Sequence, residues 1–499
     1  MKKTIVALFT MALSYSGFGA DEKPNIIFIF ADDMGVGDVS HMGGKAPTPA
    51  LDRMAKEGLR FTDAHTTSSV CTPSRYGVLT GRYNWRTRLQ RSVFLSPHDK
   101  PLIKENESTV ASLLKENGYN TACIGKWHLG IGWQFKEGST PKDKTGHDID
   151  FTKPAVTPTA NGFEYFFGIQ ASLDMPPFVY IENEMAVADA TATKQWKRKG
   201  AADPDFEADQ CLIDFAEKSV EYINEKSKED KPFFMYIPLT SPHAPIVPSE
   251  AWKGKSEIGE YGDFLMETDW VVGQVLEALE KNGIYENTLV MFSTDNGCSP
   301  VADIESLTKQ GHKPNGDLRG MKSDIYEGGH RVPTLALWPK VIKGGATTDR
   351  ITSLSDFYAT CAEIAEAEVK PSDGVDSVSF YETLKDPTKV ERDAIVMHSI
   401  SGDFAIRKGK WKLCFCSGSG GWTKPRKAPA GEPKWQLFDL DADPTEQKNL
   451  YQENPEVVNE LHELMLGYIE NGRSTPGAKQ ENDVPVKFVG LAGKKGSTK

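Results

Sequence analysis

Long apolar runs alternate along this chain with segments whose apolar residues recur at helical spacing. Apolar runs without polar alternation predict strands that are buried on both faces of a sheet. Such runs occupy residues 25–30, 119–125, 231–239, 289–294 and 334–338. Helical spacing, with helix start and stop residues, occupies 48–58, 108–118, 263–280 and 354–367. This order predicts an α/β fold, a large and mostly parallel sheet sandwiched by helices.

The pattern changes after about residue 390. Segments 404–415 and 435–440 predict antiparallel strands around a loop rich in glycine, serine and proline, and 455–472 predicts a closing helix. We therefore predict two units after the N-terminal segment: a large domain over 21–390 and a smaller C-terminal α+β subdomain over 391–499, which contains an antiparallel sheet.

The N-terminal segment reads as a secretory signal peptide over residues 1–20. Lys2 and Lys3 precede a short apolar run, and small residues at Gly17, Gly19 and Ala20 close it. The run is too short for a stable membrane span, and no other segment is long and apolar enough for one. We expect a periplasmic or secreted protein.

Composition narrows the classes of function. The chain has 499 residues, of which 39% are hydrophobic and 26% charged, as in ordinary globular proteins. Its net charge of −12 argues against a nucleic-acid binder held by bulk electrostatics. An anionic substrate would need a local basic pocket that overrides the global sign.

Seven cysteines raise the question of their chemistry, above all Cys71 in the segment VCTPSRYGVLTGR (70–82). An odd number leaves at least one unpaired in an oxidising compartment, and the spacing shows no zinc pattern. The pairing of the other six stays open: Cys123, Cys211, Cys298, Cys361, Cys414 and Cys416. Cys71 itself could be a disulfide partner, a metal ligand, a thiolate, inert packing or the precursor of another group.

Acidic and amide side chains follow two of the predicted strands. Asp32 and Asp33 come after the first, and Asp295 and Asn296 after the fourth. Ligands of doubly wound sheets bind beyond the carboxyl ends of strands, and these oxygens suit a hard cation, Ca²⁺ better than Mg²⁺. The alternative is that these residues only begin turns.

Five basic residues stand in settings that suggest an anion site. They are Arg75, Lys126, His128, His243 and Lys322. Taken singly, each is more often a solvated or structural residue. Arg75 also opens a predicted helix after Pro73, which places Cys71 near a helix N-terminus, where negative charge is favoured.

The motifs together resemble one family. VCTPSRYGVLTGR, followed in order by GKWHLG, SPHAP, STDNG and YEGG, resembles the formylglycine-dependent sulfatases, in their arylsulfatase A-like branch of the alkaline phosphatase-like superfamily. The resemblance implies that a formylglycine-generating maturation enzyme oxidises Cys71 to 3-oxoalanine (formylglycine). The hydrated aldehyde would then be the nucleophile, on one calcium ion.

The same resemblance implies a role for each motif residue. The cation would be held by Asp32, Asp33, Asp295, Asn296 and the modified Cys71. Arg75 and Lys126 would brace the diol, and Lys322 and Ser172 would contact the sulfate. His243 would protonate the leaving alcohol, and His128 would take the proton that lets sulfate depart and the aldehyde return.

The substrate is less clear from the sequence. A predicted export signal and polar loops favour a sulfated carbohydrate, and the predicted rim residues are Trp85, Arg86, Arg88, Asp174 and His312. The segment TKQWKRKG (193–200) follows later in the chain. The alternatives are an arylsulfatase of small molecules, a phosphoester or phosphonate hydrolase on the same fold, and a non-catalytic carbohydrate-binding protein that keeps the thiol.

Overall fold

The computed structural model describes residues 23–139, 143–390 and 392–489. The predicted signal peptide, residues 1–20, lies outside the described residues. Within the described ranges, no helix combines the length and the apolar character needed to cross a bilayer.

The structure alternates strands and helices over most of its length. The strands are β1 (Asn25–Ala31), β2 (Leu59–Phe61), β3 (Ala64–His65), β4 (Asn120–Lys126), β5 (Tyr165–Ile169), β6 (Ile181–Glu182), β7 (Met185–Ala186), β8 (Ala192–Trp196), β9 (Arg198–Ala202), β10 (Phe233–Pro238), β11 (Thr288–Thr294), β12 (Thr334–Leu337), β13 (Ala346–Thr348), β14 (Thr352–Ser353), β15 (Ala394–His398), β16 (Phe404–Lys408), β17 (Trp411–Cys414) and β18 (Gln436–Asp439).

The α-helices lie between these strands. They are α1 (Pro49–Glu57), α2 (Cys71–Thr80), α3 (Val110–Glu116), α4 (Cys211–Lys226), α5 (Glu260–Lys281), α6 (Ile304–Lys309), α7 (Glu327–His330), α8 (Asp356–Ile364), α9 (Tyr381–Lys385) and α10 (Pro455–Glu470).

One large sheet organises the fold, in the order β13-β2-β12-β11-β1-β10-β4-β5-β6-β7. Its central strands β11, β1, β10, β4 and β5 are parallel, while β12, β6 and β7 join in antiparallel pairs. The predicted α/β architecture is therefore confirmed. Parallel strands in this arrangement bring their carboxyl ends to one edge of the sheet.

The central strand β1 shows why its sequence is apolar throughout. Ile26, Phe28 and Phe30 point into the core on the side of α2, α3 and α8. Ile27 and Ile29 point into the core on the side of α1, α4 and α5. All five side chains are fully buried, and each contributes about 1.5–3 kcal/mol of burial free energy.

A second sheet, β15-β16-β17-β18, is antiparallel throughout. Helix α10 packs on it through Val458, Leu461 and Met465, so the predicted antiparallel sheet and closing helix are confirmed. The predicted strand 404–415 is two strands separated by a turn, and β15 was not predicted. The core of this sheet also takes in Tyr83 and Trp85, and the division into two domains at residue 390 stays a prediction.

Candidate active site

The predicted site residues converge at the carboxyl edge of the central parallel strands. Asp32 and Asp33 follow β1, Asp295 follows β11, Lys126 ends β4 and His243 follows β10. Four separate stretches of sequence thus place polar side chains in one region, because their strands are neighbours in the sheet.

The acidic residues form one connected, buried group. The backbone N–H of Asp33 donates to Oδ1 of Asp295 over 3.2 Å, and Nδ2 of Asn296 donates to Oδ1 of Asp33 over 2.7 Å. Arg75 donates to Oδ2 of Asp295 from Nε over 3.0 Å and from Nη2 over 2.7 Å. These contacts fix the carboxylates before any ligand arrives.

Three oxygens of this group have no hydrogen-bond partner among the described residues. They are Oδ1 of Asp32, Oδ2 of Asp33 and Oδ1 of Asn296, all buried. Leaving a buried acceptor unpaired costs about 1–3 kcal/mol. An oxygen-only set of this kind fits a hard cation such as Ca²⁺.

A histidine nitrogen lies beside the same oxygens. Nε2 of His243 is 3.7 Å from Oδ2 of Asp33, and ligand atoms of Asp32, Asp33 and His243 lie within 4.8 Å of one another. Nδ1 of His243 is 2.5 Å from the carbonyl oxygen of Ala244. That contact orients the ring with Nε2 toward the carboxylates.

Three cations balance the three carboxylates. Nζ of Lys126 lies 2.5 Å from Oδ2 of Asp32, and Nζ of Lys322 lies 2.5 Å from Oδ1 of Asp33. With Arg75 on Asp295, the formal charge of this group is zero. A bound divalent cation would make it positive, which suits an anionic ester in a chain whose net charge is −12.

Burial and neighbouring charges shift the pKa values of Asp33 and Asp295 in opposite directions. Burial would raise the pKa of Asp33, but the charge of Lys322 and the neighbouring His243 outweigh it and hold that pKa below its usual value. Burial and the nearby carboxylate of Asp32 raise the pKa of Asp295, against the effect of Arg75. Such opposed shifts are typical of functional sites.

Cys71 is the first residue of α2 and is 2% exposed. Burial raises the pKa of its thiol to about 11, although the cations Lys126 and Lys322 act to lower it. Burial thus disfavours the thiolate form, which argues against a thiolate nucleophile. No disulfide engages it in the described residues.

Two further predicted residues leave polar atoms unpaired beside the site. Nε2 of His128 bonds the carbonyl of Phe94 over 3.0 Å, while its buried Nδ1 has no partner among the described residues. Burial and Lys126 hold the pKa of His128 well below its usual value. The buried hydroxyl of Ser172 is likewise unpaired within the described chain.

A cavity of about 270 Å³ opens onto Cys71. Its lining joins the predicted residues His243, Lys322 and Asp174 to residues that the sequence did not single out: Lys197, Arg198 and Trp422. Burial, followed by the charge of Lys322, lowers the pKa of His243 to about 4. The basic stretch 193–200 and the glycine-rich loop were the available signals for the additional residues.

Three predicted rim residues do not line this cavity, and their assignment is corrected. Trp85, Arg86 and His312 are fully buried. Arg86 donates from Nε and Nη2 to Asp376, each over 2.8 Å, and His312 bonds Asp38 over 2.8 Å. The polar groups of Arg86 and His312 are occupied inside the protein, and the ring of Trp85 is buried in the core of the small sheet.

Arg88 also lies apart from the cavity lining. It is exposed and donates to the carbonyl oxygens of Lys100 and Pro101. Of the five predicted rim residues, Asp174 is the one that the cavity contains.

Backbone strain is concentrated at this site. Nine non-glycine residues of the described chain have positive φ, and five of them stand in or beside the site: Asp33, Ser92, His128, Lys197 and Ser323. Such conformations cost about 1–3 kcal/mol each and persist where the surroundings over-determine them. The site is therefore held in place by the fold.

Family models cover most of the chain. The model described as Sulfatase matches residues 24–367. A second model, described as N-sulphoglucosamine sulphohydrolase, C-terminal, matches residues 321–471.

Individual sulfatases are similar over nearly the whole chain. An N-acetylgalactosamine-6-O-sulfatase of Bacteroides thetaiotaomicron is 34% identical over 496 residues, covering 89% of this chain and 93% of the relative. Arylsulfatase A of Bos taurus is 33% identical over 481 residues, covering 91% of this chain and 89% of the relative.

Solved structures share the fold. One, described under the metabolism of multiple glycosaminoglycans by Bacteroides thetaiotaomicron, has a TM-score of 0.78 and 31% identity, covering 90% of this chain and 99% of that chain. Another, Ps i-CgsB in complex with k-i-k-neocarrahexaose, has a TM-score of 0.70 and 24% identity, covering 92% and 95%; this likeness concerns the fold alone. With a family model over more than half of its length and relatives above 30% identity over most of it, the chain belongs to the sulfatase family.

Proposed function

We propose that this sulfatase removes sulfate from a sulfated carbohydrate, with formylglycine made from Cys71 and one bound calcium ion. The observation that carries the proposal is the setting of Cys71. A buried, unactivated thiol begins helix α2 within electrostatic reach of Asp32 and Asp295, and it lines a cavity with basic walls. A thiol there has no evident use unless it is converted to another group.

Asp32, Asp33, Asp295 and Asn296 would hold the calcium ion. Their oxygens and irregular arrangement suit Ca²⁺ better than Mg²⁺, which demands near-ideal octahedral geometry. When bound, the ion supplies positive charge to the sulfate oxygens and to the nucleophilic oxygen. Arg75 keeps Asp295 in place by donating to it from two nitrogens.

Conversion of Cys71 requires the maturation enzyme to act on the chain before it folds, because the folded thiol is 2% exposed. Formylglycine, once hydrated, supplies a hydroxyl nucleophile. The N-terminus of α2 favours negative charge at this position through its free backbone N–H groups.

The remaining residues act on the ester and on protons. Lys322 and the unpaired hydroxyl of Ser172 bind the sulfate, and Lys126 with Arg75 favours the anionic nucleophile. His243, on the cavity wall, donates a proton to the leaving oxygen, and an anionic ester beside it raises its pKa toward the range this requires. The unpaired Nδ1 of His128 accepts the proton that releases sulfate.

A carbohydrate is the substrate that the observations favour. The N-acetylgalactosamine-6-O-sulfatase relative, 34% identical, supports a sulfated sugar. The cavity combines charged groups with the half-exposed ring of Trp422, as sugar sites do. A predicted signal peptide makes the periplasm or the exterior the place where such a glycan is met.

A second candidate is an arylsulfatase of small molecules. The 33% identity to arylsulfatase A over 91% of this chain favours it. A phosphoester hydrolase is disfavoured because Lys126, His128 and Lys322 stand where additional metal ligands would be needed.

The experiment follows sulfate release by matured protein with Ca²⁺. Its panel contains sulfated mono- and oligosaccharides, a chromogenic aryl sulfate and the matching aryl phosphate. We expect the highest kcat/KM on a sulfated saccharide, a lower value on the aryl sulfate, and loss of both after chelation. Faster turnover of the phosphate, or no sulfate release from any saccharide, would overturn the proposal.

A further inference from the structure

The β8–β9 hairpin brings an unusual basic tip to the active-site cavity. Trp196 and Arg198 are paired across the hairpin, so Lys197 alone forms the turn, with φ of 87°. Glycine or asparagine is the usual residue in such a conformation. A lysine that keeps a strained turn is the kind of outlier that points to function.

The tip is fixed in space. The ring of Trp196 packs edge-on against Phe178, with centroids 4.9 Å apart, and the backbone N–H of Ala201 donates to the carbonyl of Thr145 over 2.8 Å. Gly200 allows close approach, since a Cβ there would lie 2.2 Å from Cβ of Pro176. These contacts hold the cations of the tip against the cavity.

Both cations of the tip, Lys197 and Arg198, line the cavity, but they differ in how far a carboxylate neutralises their charge. Nη1 of Arg198 lies 2.7 Å from Oδ2 of Asp174, and the Arg198 side chain remains 40% exposed. Lys197 is exposed and makes no ion pair with a described residue. The second carboxylate oxygen of Asp174, Oδ1, is buried and has no hydrogen-bond partner within the described chain.

These cations stand apart from the groups that serve the scissile sulfate. Lys126 and Lys322 are buried, whereas Lys197 is exposed and the Arg198 side chain is 40% exposed. The hairpin therefore forms an outer wall, beyond the residues that bind the ester itself. Its charge is available to a different part of the substrate.

We propose that Lys197 and Arg198 form a second anion-binding element, and that the preferred glycan carries another negative group next to the sulfate that is removed. This inference rests on the proposed function of the same cavity. A carboxylate and a second sulfate share the chemistry that these cations recognise.

The test compares three saccharides that share one sulfated sugar: one otherwise neutral, one with a neighbouring uronate and one with a second sulfate. We expect a higher kcat/KM for the two dianionic compounds, with an advantage that shrinks as salt screens it. The variant Lys197→Gly removes the charge and relieves the turn. It should lower kcat/KM about fivefold on the two dianionic compounds, which is the largest effect expected from an exposed ion pair. It should leave kcat/KM unchanged on the saccharide without a second negative group.

Two further variants separate charge from folding. Lys197→Arg should keep the preference. Lys199→Ala, which removes a charge from the same hairpin outside the cavity lining, should also keep it. An equal effect of Lys197→Gly on all three saccharides, or none on any, would overturn the inference.

Binding to the unmatured thiol form, measured by calorimetry with the same saccharides, distinguishes the two proposals. Charge-dependent binding that Lys197→Gly abolishes, without sulfate release by matured protein, would overturn the proposed function and uphold the inference. Sulfate release at one rate from all three saccharides, with equal binding, would uphold the proposed function and overturn the inference.

Discussion

Single residues carry the chemistry, and Cys71 is the one on which the others depend. Its thiol is buried, which disfavours the thiolate form, and it is free of a disulfide. Asp32 and Asp295, whose charges act on this thiol, belong to the buried group in which oxygens of Asp32, Asp33 and Asn296 are unpaired among the described residues. These features fit conversion to an aldehyde hydrate better than any use of the sulfur.

The variant Cys71→Ser tests why a hydrate is needed. A serine can attack the ester once, but it has no second oxygen on the same carbon to expel the sulfate. With an aryl sulfate we expect a burst of about one equivalent of phenol per protein, followed by turnover at least ~100-fold slower than wild type. Stopped-flow absorbance measures both phases. Cys71→Ala should show no burst, and steady turnover by the serine variant at the wild-type rate would contradict this role.

The residues that meet at the carboxyl edge of the sheet were predictable from the sequence, because motifs mark them. The rim of the cavity was not predictable, because burial decides which side chains can reach a substrate. Burial in turn depends on contacts with residues far away in the sequence. Arg86 looks like a surface residue in YNWRTRLQR, yet Asp376, 290 residues away in the chain, pairs with it. Lys197 and Trp422 reach the cavity through a hairpin and a loop whose positions no local pattern specifies.

At the level of elements, buried ion pairs fix segments that the main sheet does not hold. Arg86 donates to Asp376, to the carbonyl of Tyr468 over 3.0 Å and to Asn482 over 2.9 Å. It thereby ties the segment after α2 to the end of α10. This connection stabilises the region that carries Cys71.

Arg86→Ala should therefore destabilise the protein without a specific effect on substrate binding. Removing one partner of a buried pair leaves Asp376 uncompensated and costs about 3–5 kcal/mol. Urea unfolding measures the change in the free energy of unfolding. The control Arg88→Ala, at an exposed position, should change it by about 0.5 kcal/mol or less. A raised KM at unchanged stability for Arg86→Ala would restore this residue to the substrate rim.

Elements of the central sheet were predictable because burial on both faces makes their sequences apolar throughout. The hairpin β8–β9 was not, since its strands are half-exposed and rich in lysine. Helix α4 was also missed, although Leu212, Phe215, Ala216 and Tyr222 follow helical spacing. Strand β15 lies just past the predicted boundary and pairs with β16, a partner that sequence periodicity cannot identify.

For the whole molecule, a buried network joins the segment between β2 and β3, and helix α7, to the small antiparallel sheet. Asp63, before β3, accepts a hydrogen bond from Arg407 of β16 over 2.6 Å and bonds His65 over 2.7 Å. Nearby, Nζ of Lys412 donates to Glu327 over 3.0 Å and to Glu446 over 2.8 Å. Paired charges thus connect the small sheet to segments of the large domain.

The network predicts how stability depends on acidity. Burial would raise the pKa of Asp63, but its bonds to His65 and Arg407 lower that pKa from 3.8 to about 2. Its stabilising effect is complete above pH 3.8 and is lost as pH falls through about 2, a change of roughly 2 kcal/mol. Urea unfolding between pH 5 and pH 2 should show a smaller loss for Asp63→Asn than for wild type. The exposed control Asp205→Asn should follow wild type, and identical acid profiles for all three would contradict this account.

Sulfatase activity should depend on the chemical state of residue 71. Preparations with different extents of maturation are analysed by mass spectrometry of the peptide that contains Cys71, and their sulfate release is measured with calcium present. We expect the specific activity to be proportional to the fraction of formylglycine and to be zero when only thiol is found. Activity that is independent of this fraction, or full activity in a preparation containing thiol alone, would contradict it.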